Sequence, residues 1–97
     1  MDLDAFERSF GEAAPPEGLP ALLVALWLEA KGEWHRAHEL AQADSGTDAA
    51  WVHAYLHRVE GDEANAGYWY TRSGRPHSAA PLVDERRQIA EELLGRG

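Results

Sequence analysis

An all-α chain is predicted: two antiparallel helical hairpins, a short N-terminal helix before them and a C-terminal capping helix after them. Two observations point there. A hairpin signature occurs twice, with Ala25, Gly32-Glu33 and Ala37 in one copy matching Ala54, Gly61-Asp62 and Ala66 in the other. In both, the first alanine lies seven residues before the glycine and the second five after it. Elsewhere the apolar residues recur three and four positions apart, the period of a helix face, and no stretch alternates as a strand does.

The whole chain, 1–97, reads as one helical domain. Its N-terminal helix, in 1–11, rests on Leu3, Phe6 and Phe10, with Asp2 as cap and Gly11 as stop. Ala13, Ala14, Pro15, Pro16, Glu17 and Gly18 make a linker that the proline pair stiffens. The first hairpin, 19–44, opens on Pro20, a residue suited to a first turn because the missing N–H costs nothing there. Its first helix is apolar on nearly every side, through Leu22, Leu23, Val24, Leu26, Trp27 and Leu28, and is expected to be the central, buried helix. Gly32 ends that helix. Trp34, Ala37, Leu40 and Ala41 form the inward stripe of the next, leaving His35 and His38 on a solvated face.

Ser45 or Thr47 is expected to cap the second hairpin, 48–74. Its first helix buries Val52, Tyr55, Leu56 and Val59; its second, capped by Asp62, turns Ala66, Trp69, Tyr70 and Ser73 inward. Gly67 in mid-helix costs roughly 1 kcal/mol against alanine, for which close approach of another helix is the expected reason. The capping helix, 81–95, buries Leu82, Ile89 and Leu93, flanked by Val83, Ala90 and Leu94, with Arg86, Arg87, Glu91 and Glu92 as surface charge.

Composition narrows the partners. Hydrophobic residues make up 44% of the chain and charged ones 27%, the balance of a soluble globular domain. A net charge of −8 argues against nucleic acid or an anionic membrane as partner. The longest apolar run, from Ala21 to Leu28, falls far short of the roughly 20 residues that span a bilayer. With no cysteine there are no disulfides or thiolate metal sites, and with no basic, apolar leader a cytoplasmic location is expected. The charge is also uneven: residues 1–50 hold ten acids against three bases, whereas 51–80 balance three acids with three arginines and add His53, His57 and His77.

The two signatures resemble the tetratricopeptide family, helix-turn-helix repeats that bind peptides and proteins in a groove. The matching residues are Ala25, Gly32-Glu33, Ala37 and Ala41 in the first unit, and Ala54, Gly61-Asp62, Ala66, Tyr70 and Ser73 in the second. The match covers residues 19–75 and is short and divergent. Its glycines are 29 positions apart where the family repeats at about 34, and His53 and His57 stand where the family packs apolar side chains. The resemblance implies a binding protein, with the last helix as a cap.

The second unit carries the candidate site. Trp69, Arg58, Arg72, Arg75 and His77, together with His53 and His57, form an aromatic and basic set. Arginine stacks on aromatic rings and grips carboxylates bidentately, which suits a protein or peptide partner of acidic character. An alternative centres a ligand or metal, or the activity of a small enzyme, on His53, His57 and His77, with Glu60 as a further ligand, because His53, His57 and Glu60 share one helix face. Self-association into a homodimer through the apolar first helix is a third reading. No nucleophile elbow or phosphate loop is present, so neither an enzyme nor a cofactor is expected.

Overall fold

The computed structural model describes residues 1–96, which form six helices and, among those residues, no strand. They are α1 (Leu3–Arg8, continued by a 3-10 turn at Ser9–Gly11), α2 (Ala21–Ala30), α3 (Trp34–Gln42), α4 (Thr47–Val59), α5 (Glu63–Ser73) and α6 (Leu82–Leu94). No helix among the described residues is long and apolar enough to cross a membrane.

Local chemistry sets the boundaries as expected at most ends. The Asp2 carboxylate accepts from the Ala5 N–H at 2.8 Å, and Asp62 caps α5 by accepting from the Asn65 N–H at 3.1 Å. Gly32 and Gly61 both take φ +86°, the left-handed turn that closes α2 and α4 and that side-chain-bearing residues resist. The cap of α4 differs from expectation. Neither Ser45 nor Thr47 supplies it; Gly46 holds that position, and Asp44 accepts from the Gly46 N–H at 2.8 Å to shape the turn.

The core also differs from expectation. Every residue from Ala49 to His57 is buried, so α4 is the central helix. Leu22 and Val24 on α2 remain half-exposed, because α2 lies at the side of the bundle. Consecutive helices pair across short turns, α2 with α3 and α4 with α5, and α3 also packs on α4. Helix α6 is not a cap on the second pair alone. It lies against α4, α2 and α1 together.

That placement turns α6 by part of a turn from its expected orientation. Leu82 (39%) and Val83 (48%) are exposed, while Glu85 is buried with Ile89, Ala90 and Leu93. Its arginines are ties and not free surface charge: Arg86 reaches Glu29 at 3.3 Å, and Arg87 forks onto Glu7 at 2.8 and 2.9 Å. The Arg87 guanidinium lowers the pKa of Glu7 below the usual carboxylate range. Beside these ties, Trp27 Nε1 donates to the Ser9 carbonyl at 3.1 Å and so pins the N-terminal segment to α2.

Candidate functional site

Two polar clusters and one exposed face hang on the α4–α5 pair. The first cluster is closed. Glu85 of α6 is 1% exposed, yet its carboxylate accepts from Arg58 at 2.6 Å, from Trp51 Nε1 at 3.2 Å and from the Tyr70 hydroxyl at 2.6 and 2.7 Å. Arg58 spends a second nitrogen on the Ala80 carbonyl at 2.6 Å. Burial works against the charge of Arg58, but Glu85 and Tyr70 outweigh it and hold its pKa above the ordinary value. Burial, with Glu85 beside it, pushes the Tyr70 hydroxyl up as well. A buried carboxylate with this many donors is a structural tie between α4, α5 and α6.

The second cluster is histidine. His53 and His57 are four apart on α4 and therefore share a face. His38, four residues after Trp34 on α3, meets them there, with its ring centroid 4.5 Å from that of His53 and 5.4 Å from that of His57. Small buried residues, Ala37 and Ala41, keep α3 close to its neighbours. Trp34 locks the approach by donating its Nε1 hydrogen to the Leu56 carbonyl at 2.7 Å while stacking on His38 at 4.9 Å. From the other side Trp69 stacks on His53 at 3.8 Å. His53 and His57 are only 4% and 6% exposed.

The hydrogen bonding of this cluster is sparse. His57 Nδ1 is 2.6 Å from Glu60 Oε1; a carboxylate only accepts, so Nδ1 carries the hydrogen, and in the neutral ring Nε2 has the lone pair. Among the described residues His38 and His53 make no hydrogen bond to protein. Burial, then the neighbouring His38 and His57, pushes the pKa of His53 down to about 4. Burial and His57 lower His38 in the same sense. Both rings are thus held neutral at pH 7.

The third feature is exposed. Arg72 lies over Trp69 (5.2 Å) and Tyr68 (5.7 Å) and donates to the Tyr68 hydroxyl at 3.0 Å. Beside it, a cleft of about 180 Å³ is lined by Gln42, Asp44, Ser45, Thr47, Trp69 and Arg72. Each other arginine after Trp51 pairs with a carboxylate among the described residues; Arg72 does not.

The residues singled out from sequence therefore separate. Arg72 is exposed and lies over Trp69, which is half-buried against the core. His53 and His57 lie beneath Trp69, buried, and reach no partner directly. Arg58 is drawn into the Glu85 cluster. Arg75 stacks on Trp51 at 3.9 Å and pairs with Glu92 at 2.7 Å, which removes it from a free surface. His77 is set apart from the other histidines: it bonds Glu63 at 2.8 Å, and its ring, not another helix, is what lies against Gly67. Sequence reasoning missed His38 and Glu85. The signal for each was present, since His38 shares its face with Trp34, and Glu85 sits four and eight positions before the buried Ile89 and Leu93. No family model, no curated protein and no solved structure matches this chain.

Proposed function

We propose that this chain is a small helical-hairpin protein of the tetratricopeptide kind that works by binding a peptide segment of another protein. The contact surface is the outer face of α5, where Arg72 takes a carboxylate and Trp69 and Tyr68 take the apolar part. One observation carries this: in a chain of net charge −8, Arg72 stands without a carboxylate partner among the described residues and lies over two adjacent aromatic rings beside a cleft. Stacking restrains the guanidinium before any ligand arrives, so less entropy is lost on binding. Tryptophan, tyrosine and arginine are also the side chains that dominate binding hot spots.

The two α2–α3 and α4–α5 pairs, with their matching glycine turns, support the hairpin-repeat part of the proposal. Fluorescence anisotropy with labelled acidic peptides, carrying either a free or an amidated C-terminus, tests the binding part. Arg72→Ala should weaken the best peptide about tenfold or more, and Arg72→Lys should not restore it, because lysine lacks the bidentate fork. Peptides that bind the alanine variant equally well, or no binding by the native chain, would overturn the proposal.

A further inference from the structure

We infer that His38, His53 and His57 form a binding site for a divalent transition-metal ion that prefers imidazole, with Zn2+ as its representative. One ring nitrogen from each histidine lies within 4.8 Å of the other two. Zinc–nitrogen bonds of about 2.0–2.1 Å require the three to close in by roughly an ångström, a small rotation of side chains already facing one another. The site stands apart from Arg72 and does not depend on the binding proposed for it.

Three features distinguish this cluster from ordinary packing. The first is His53. Stacking on Trp69 covers one face of its ring, and among the described residues neither nitrogen has a protein hydrogen bond, in a residue that is 4% exposed. Neither nitrogen is among the sealed, unpartnered atoms of the described residues, so the ring's lone pair stays open to a metal ion. The second is His57, whose Nδ1 is committed to Glu60 at 2.6 Å. That carboxylate–histidine contact fixes the tautomer and leaves Nε2 as the donor atom, the arrangement found behind metal-bound histidines. The third is access. The only fully sealed side-chain nitrogens without a partner among the described residues are Nε of Arg58 and Arg86, so the histidine nitrogens keep a route to solvent.

The donor set also selects the ion. Three neutral imidazoles suit zinc, copper, nickel or cobalt and repel nothing, whereas magnesium and calcium want oxygen ligands. A net charge of −8 concentrates cations near the surface. With three protein ligands, a tetrahedral ion keeps one position for water or a small anion.

The test is calorimetric titration of Zn2+ into the full chain carrying no added histidine tag, paired with absorption spectra of the Co2+ form. One ion per chain and the visible bands of tetrahedral Co2+ are expected. His38→Gln should weaken uptake about tenfold or more, as should His57→Gln, while His77→Gln and His35→Gln leave it unchanged. His38 is half-buried at the rim, so its glutamine variant keeps the helices, which circular dichroism verifies. Absence of stoichiometric uptake by the native chain would overturn the site, and so would uptake that survives His38→Gln or is lost with His77→Gln. Should a variant lose its helices, the Co2+ spectrum of the native chain decides alone: without tetrahedral bands the site is refuted.

Discussion

On one face of α4, Trp51 and Arg58 reach Glu85 and leave neither of its oxygens bare; on another, His53 and His57 meet His38, and among the described residues the three rings share a single hydrogen bond, from His57 to Glu60. Both clusters are buried, both are polar, and both join α4 to a neighbouring helix. They differ in satisfaction. Around Glu85 the donors converge from α4 and α5 and meet both carboxylate oxygens, and the one group left over, Arg58 Nε, is sealed from any ligand. Around His53 the fold supplies aromatic faces but no hydrogen-bond partners, and the nitrogens remain available. A buried polar cluster is evidence of function only when the protein itself fails to complete it.

The largest effect should come from breaking the closed cluster. Glu85→Ala leaves Arg58 with only the exposed Glu63 at 4.0 Å, and urea unfolding should show a loss of about 3–5 kcal/mol. A loss below about 1 kcal/mol would mean that Arg58 escapes to water and that the tie is weaker than its geometry implies.

Next in size is the response of the metal-free chain to acid. His53 titrates near 4 in the folded state and near its ordinary 6.5 when unfolded. Above pH 6.5 it is neutral in both states and has no effect. Between 6.5 and 4 only the unfolded chain takes up the proton, so stability falls as pH falls, by about 3 kcal/mol in all, and then levels off. The lowered pKa of His38 acts in the same direction. Stability measured by urea at pH 7, 5.5 and 4 checks the slope, and His53→Phe should flatten much of it.

The smallest effects compare the clusters directly. Tyr70→Phe removes one donor from Glu85 and should cost about 1–3 kcal/mol at pH 7. His53→Phe removes two nitrogens that bond nothing in the protein, and should cost less than about 1 kcal/mol at the same pH. Equal losses in the two variants would erase the distinction between a completed cluster and an open one.

The sequence was legible wherever a single helix decides the outcome. Spacing placed His53, His57 and Glu60 on one face, the glycines placed the turns, and Asp2 and Asp62 were identifiable as caps. It was opaque where two helices decide. His38 looked solvated because Trp34, Ala37, Leu40 and Ala41 already filled a stripe, and only the approach of α4 brings its ring indoors. Glu85, between Asp84 and Arg86, drew no reading at all, since a carboxylate becomes a core residue only once Trp51, Arg58 and Tyr70 surround it. The assignment of Leu82 and Val83 to the core failed for the same reason: Glu85 takes the inward position, and α6 turns around it.

The placement of α6 has a consequence for how the chain folds. Repeat arrays assemble one unit at a time, each stabilised by the unit before it. Here Arg87 grips Glu7 across 80 positions, and α6 supplies the counter-charge for Arg58. Neither helix pair reaches its final environment until the last helix arrives. Such long-range closure slows folding and makes unfolding all-or-none. A nascent chain paused before residue 82 would emerge with the α6-facing side of α4 uncovered and Arg58 without Glu85, and would depend on chaperones, or fall to proteases, until α6 follows.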